Sequence, residues 1–349
     1  MGGYGEWCES RKNMKRIFVV IDPLITDENS WEMHLSSMLH GYVEASGMHD
    51  YQIEEVNDLA VIKTYFQTGY ITVQDKFVFP NAWTSMTVYV KHWSENYNIP
   101  VEMIGLWSRG CYINQDPEYR PMNDRNWRKV HERASFRCLD RSYFISEYHK
   151  EQFRIYVSKF VFPERLNISA FPLDYLNMEL LQYKDDYYKQ NMIIFPWDKY
   201  SQLHEQIMYD FIRVFKDIKV IFAQEKEPLP RHQLLIQLAK TKVALLPYEH
   251  PNIGKEIYEC LILGTIPLVP DIEGMRELVP EQFRYPIEWT QNIFNYCKYA
   301  PDLIKKIETL CHDYDTYLPI INKQKEYLFK EFYDSQKIIE QIFGNDKRI

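Results

Sequence analysis

Apolar runs and helical stripes alternate along this chain with few interruptions. Lys15 to Asp22 reads KRIFVVID, an unbroken apolar run of the kind found in strands covered on both faces. Asp22-Pro23 ends it. After a loop to Ser30, the residues Trp31, Leu35, Met38, Leu39 and Tyr42 share one helical face that closes near Gly47. The pattern continues with a strand, the strand KFVFP and a helix, then a strand from Val101 to Leu106 and a helix from about Asn126 to Leu139. The strand SYFIS, the helix EYHKEQFRIYV and the strand LNISAF follow. Apolar strands separated by helices predict a parallel α/β sheet.

LQYKDDYYKQN is polar and charged, and it predicts a linker. Beyond it MIIFP, IKVIFAQ and VALLPY read as strands, HQLLIQLAK as a helix, and Leu203, Ile207, Phe211 and Val214 as another helical stripe. Next comes PNIGKEIYECLILGTIPLVPDIEGMRELVP. It predicts a helix capped by Asn252 and stopped at Gly264, where a left-handed residue is needed, then a buried strand and a second helix start. In the tail, Leu328, Phe332, Ser335, Ile339 and Ile342 form an amphipathic face that needs a surface to cover. The expected organisation is a leader over 1–14, a first domain over 15–183, a second over 184–320, and a helical segment over 321–349 that returns to the first.

A length of 349 residues suits two such domains. With 46% apolar and 26% charged residues, the chain belongs to neither the fibrous nor the disordered class. Its 27 tyrosines leave two readings open: large half-buried rings, or an aromatic surface for bases or sugars. The net charge of −8 argues against a whole-protein grip on nucleic acid. Residues 109–154 hold a local excess, ten Lys/Arg against seven Asp/Glu, although the arginines at 125, 128, 133, 137 and 141 do not share one helical face. Six scattered cysteines without CxxC pairs read as thiols of a reducing compartment, with no metal site. No apolar run approaches the roughly 20 residues of a membrane span, and the N-terminus has no apolar signal core. The expected location is the cytoplasm, or the host cytoplasm if the protein is viral.

The chemistry concentrates at loops that follow strands. A helix N-terminus with Gly254 and Lys255 beside it is a ready anion site. Asp22, after the first strand, reads either as a base or hydroxyl ligand, or as plain Asp-Pro turn chemistry. In Trp107-Ser108-Arg109-Gly110, Arg109 suits a phosphate and Trp107 could stack on a base or sugar. Ser146 to Lys150, with His149 among them, follows another strand.

Several of these letters resemble the donor domain of GT-B glycosyltransferases of the retaining, nucleotide-sugar type, family 4-like or group 1. The matching residues are Ile253-Gly254, Glu259-Cys260, Gly264-Thr265-Ile266-Pro267-Leu268-Val269, Glu273-Gly274 and Glu277-Leu278. FPLDYL near Asp174 is similar to the segment that closes the family's first domain. The resemblance implies two doubly wound Rossmann-like domains with an inter-domain cleft and a C-terminal crossover helix. It also implies a ribose held by Glu259, each charge-assisted bond being worth about 1.5–3 kcal/mol. Gly254, Lys255 and Lys199, with Arg231 or His232 behind, would hold the diphosphate, and Thr265 joins the donor-binding set. Trp107, Ser108, Arg109 and His149 would line the acceptor side. The chain departs from the family where Pro251 replaces its first glutamate and Trp197 stands in place of an arginine. Glu256 or Glu249 could stand in for the missing carboxylate, and Glu256 joins Asp22 as a catalytic candidate.

The function this resemblance implies is transfer of a hexose or pentose from a UDP- or GDP-linked sugar to a hydroxyl. Retention is expected, with no metal and no further cofactor, and with a surface glycan as acceptor. Phage DNA α-glucosyltransferases carry a similar arrangement, so a hydroxymethylated base in viral DNA is the alternative acceptor. A catalytically silent nucleotide-sugar binding protein is the alternative of another class. The sequence carries no signal for an oligomeric state.

Overall fold

The computed structural model describes residues 14–22, 31–108, 110–112, 125–157, 163–184, 186–196, 202–223, 229–247 and 254–344. The opening apolar run becomes β1 (Lys15–Val20), buried at every position but its first. It is followed by α1 (Trp31–Ser46), β2 (Tyr51–Val56), α2 (Leu59–Gln67), β3 (Lys76–Phe79), α3 (Met86–Asn96) and β4 (Glu102–Trp107). Next come α4 (Arg125–Cys138), β5 (Arg141–Phe144), α5 (Glu147–Val157) and β6 (Leu166–Ile168). The six strands are parallel, in the order β2-β1-β3-β4-β5-β6. Their rings fill the core: Phe18 stacks on Phe77 at 4.9 Å, and Phe77 on Phe66 at 6.1 Å.

A second alternation runs through α6 (Tyr175–Lys184), β7 (Gln190–Phe195), α7 (Gln202–Val214), β8 (Lys219–Phe222), α8 (Arg231–Lys240) and β9 (Thr241–Leu245). It continues with α9 (Lys255–Ile262), β10 (Ile266–Pro270), α10 (Glu273–Leu278), β11 (Arg284–Tyr285), α11 (Ile293–His312) and α12 (Tyr314–Leu328). These strands are also parallel, in the order β11-β10-β9-β7-β8. Counted from its own first strand, the second sheet repeats the 2-1-3-4-5 order of the first. In each sheet the order reverses beside that first strand, between β1 and β3 and between β7 and β9. Sheets of this kind bind ligands at the carboxyl ends of the strands at such a switch point.

The chain divides into two compact units. One takes in residues up to Leu173 and from Phe332 onward, and the other spans Asp174–Glu331. Both limits differ from the expected 183/184 and 320/321. The first four residues of the predicted linker are the last turn of α6, a helix that buries Leu176 and Leu180 and packs against α8 and α9. α12 likewise packs against α9 and α11, so the return to the first unit begins at Phe332.

The predicted amphipathic tail is buried at all five of its positions, but it is not one helix. Asp334 accepts from the Gln336 N–H and starts α13 (Ser335–Phe343), which packs on α1. Phe343 sits 5.1 Å from the rings of both Tyr42 and Tyr51. Lys76 donates to the carbonyls of Ile342 and Phe343 at 3.1 and 3.3 Å, and Arg141 donates to those of Gln341 and Ile342. Two cations thus satisfy the orphan carbonyls at the negative end of the helix. No helix among the described residues is long and apolar enough to cross a membrane.

Candidate active site

The signature helix α9 starts differently from the sequence expectation. Its N-cap is Gly254, at φ 71°, and among the described residues no side chain caps the first turn. Asn252, the expected cap, lies outside the described residues. Glycine takes this left-handed conformation without steric cost, and the N–H groups of a helix N-terminus suit an anion. The other end matches the expectation. Gly264 stands at φ 72°, and the Thr265 N–H closes back on the Cys260 carbonyl at 2.7 Å.

Between these ends lies Glu259, only 4% exposed. Its Oε1 accepts from Nη2 of Arg231, the first residue of α8, at 2.8 Å. The same guanidinium grips Glu179 of α6 with two bonds, Nε to Oε1 at 3.0 Å and Nη2 to Oε2 at 3.2 Å. Burial works against the Arg231 charge, but Glu259 and Glu179 outweigh it and hold its pKa above the usual arginine range. One residue before Glu259, the Tyr258 hydroxyl donates to Oδ1 of Asn177 at 3.0 Å, and burial pushes that phenol up to about 12. α6 therefore holds α9 at two consecutive residues. Neither Asn177 nor Glu179 stands out in the sequence, where residues up to 183 belong to the expected first domain and those from Leu181 read as a linker.

Of the other donor candidates, Lys255 is half-buried at the first position of α9 and Glu256 is exposed on the same turn. His232 is exposed beside Arg231. Thr265 does not join them. It is fully buried at the opposite end of α9, about 12 Å along a helix of this length. There its hydroxyl donates to the Leu238 carbonyl at 2.7 Å and accepts from Lys189 at 2.7 Å. Its role is structural. Lys199, Trp197, Glu249 and Pro251 lie outside the described residues, in the stretches that follow β7 and β9.

In the first unit, Asp22 is half-buried just past the carboxyl end of β1. Arg109 lies outside the described residues. Trp107 is not a stacking surface: it is fully buried, 4.9 Å from Phe153 and stacked on Phe144 at 6.3 Å. Ser108 is buried beside it. His149 is also buried, with its N–H on Ser146 Oγ at 3.3 Å and its ring edge-on to Tyr112. None of these three presents a surface that an acceptor could touch. The predicted acceptor set read strand-end residues as exposed, whereas in this unit they pack inward. The fully buried Glu132 accepts from the Cys111 N–H and holds the turn after β4. A Cβ at Gly110 would run into Glu132 Oε1 and the Tyr112 ring, and its φ of 156° strains any other residue, so a substitution there would displace Glu132. Among the described residues, no group of three His, Cys, Asp or Glu side chains gathers that could hold a metal ion.

No family model and no curated protein matches the chain. Solved structures do. The lipopolysaccharide outer core galactosyltransferase WaaB superposes with a TM-score of 0.58 at 10% identity, over 95% of this chain and 99% of that one. WaaG, a glycosyltransferase involved in lipopolysaccharide biosynthesis, gives 0.53 at 11%, over 95% and 100%. A candidate UDP-N-acetylglucosamine 2-epimerase from Listeria monocytogenes gives 0.54 at 11%, over 96% and 97%. The fold is that of the GT-B glycosyltransferases. At such identities the likeness concerns the GT-B fold alone, and the chemistry has to come from the site.

Proposed function

We propose that this chain is a glycosyltransferase that moves a sugar from a nucleoside-diphosphate donor to a hydroxyl. The observation that carries the reading is Glu259: a buried carboxylate, engaged through Oε1, on a helix that begins at a left-handed glycine. Among the described residues, its Oε2 has no partner and can accept from a ribose hydroxyl. In this reading the N–H groups at Gly254 and Lys255, together with Lys199, take the diphosphate. Their positive potential stabilises charge building on the leaving group. Transfer proceeds with retention and without metal, and Asp22 and Glu256 are the carboxylates to test for proton transfer. Two of the solved structures with this fold come from lipopolysaccharide synthesis, which supports a surface glycan as acceptor. The net charge of −8 opposes a DNA acceptor.

The test is a melting-temperature screen of UDP- and GDP-linked sugars on the wild type and Glu259→Ala. One donor should raise the wild-type Tm. The variant should bind that donor about 10–100-fold more weakly, the worth of one charge-assisted bond. An undiminished shift in the variant would remove Glu259 from the ribose. Nucleoside diphosphate release that depends on added acceptor then separates transfer from silent binding. Conversion of the donor sugar without acceptor would replace transfer by the epimerase chemistry named for one of the structures that share this fold.

A further inference from the structure

The ion triad at Glu259 is more elaborate than charge balance requires. A buried carboxylate needs a counter-charge, and Arg231 alone supplies it. Yet Arg231 is anchored first by the two-point grip on Glu179, whose side chain is 31% exposed. An exposed pair of that kind adds little stability. What it adds is direction. A planar guanidinium fixed along Nε and Nη2 has one remaining Nη2 hydrogen in a set place, and that hydrogen reaches Glu259 Oε1. Glu259 is thereby held by one oxygen, with the other left over. Asn177, on the same helix as Glu179, fixes the residue before it through the Tyr258 hydroxyl.

We propose that Glu179 and Arg231 are positioning residues that aim the Glu259 carboxylate at the ribose diol of the donor, and so set the preference for a ribonucleotide over its 2′-deoxy form. This rests on the nucleotide-sugar reading above. It moves Arg231 from a phosphate ligand to a support for the ribose ligand, and it gives α6 a part in donor recognition. A carboxylate held in one orientation meets both hydroxyls without losing rotamer freedom on binding, whereas a loose one loses that advantage.

The test uses the full chain and four probes: UDP, GDP and their 2′-deoxy counterparts, titrated by calorimetry. The wild type should bind one of the two bases and prefer its ribo form about tenfold. Glu179→Gln and Arg231→Met should bring that ratio below about threefold while the deoxy affinity stays nearly constant. Arg231→Lys, which keeps the charge but not the fork, should fall between. A general loosening of the unit would weaken ribo and deoxy forms alike and leave the ratio unchanged. That result overturns the proposal. If Glu259→Ala abolishes the preference while Glu179→Gln and Arg231→Met keep it, the positioning role fails and the ribose assignment stands. A wild type that binds none of the four probes sinks both. Glu179 lies at a partly exposed site, so Glu179→Gln decides the matter if Arg231→Met does not fold.

Discussion

At Lys189 the residue chemistry has consequences that the sequence did not advertise. Its ammonium donates to the carbonyls of Leu238 and Thr241 at 3.1 and 2.7 Å and to the Thr265 hydroxyl, three acceptors for three N–H groups. Enclosure nevertheless works against the charge and brings its pKa from 10.5 to about 7. Between those values the unfolded chain keeps a proton that the folded one has released, so this group makes stability rise with pH from about 7 to about 10.5. Above pH 10 buried phenols reverse the trend. Tyr258 holds its proton to about 12 in the fold but loses it near 10.0 when unfolded. Denaturant titrations at pH 6.5, 8 and 9.5 should show the rising limb in the wild type and a flatter one in Lys189→Met. Equal slopes would show that Lys189 does not titrate in that window. The sequence marks Gly264 as a helix stop, and it is one. Thr265 was read as a ligand because nothing local reveals that a lysine from 76 residues earlier in the chain meets its hydroxyl.

Helices α6 and α13 show how far pattern reaches at the scale of elements. The tail stripe of Leu328, Phe332, Ser335, Ile339 and Ile342 predicts a covered face, and all five are buried, the last three of them in α13. In α6 Leu176 and Leu180 are buried, but Met178 and Leu181 are 77% and 47% exposed, so no single stripe stands out. A helix of that kind can be recognised from sequence without revealing which body it packs on. The cations beneath α13 are equally nonlocal. Replacing Arg141 or Lys76 by Met should destabilise the first unit by about 1–2 kcal/mol, through carbonyls left unpaired at the helix end. Urea unfolding measures this, and a change below a few tenths would mean that water serves those carbonyls as well.

For the whole molecule, the chain crosses twice between its units, at Leu173/Asp174 and at Glu331/Phe332. The last segment thus completes a unit that the first 173 residues began. Ending the chain after Glu331 should lower hydrogen-exchange protection in α1, β2 and β3, which α13 covers, and leave β7 and β9 protected. Equal loss in both sheets would contradict the division. Two parallel sheets, their order of appearance, the glycine stop and Glu259 as a carboxylate near an apolar face all follow from local patterns: apolar runs, helical spacing and glycine conformation. Those patterns are set by neighbours in the chain, so the sequence by itself determined them. The unit boundary, the burial of Trp107 and His149, and the Glu179–Arg231–Glu259 triad depend on residues far apart in the chain, the triad's two ion pairs spanning 52 and 28 positions. Only the tertiary structure decided those, because burial and charge pairing are properties of the packed molecule and not of the segment.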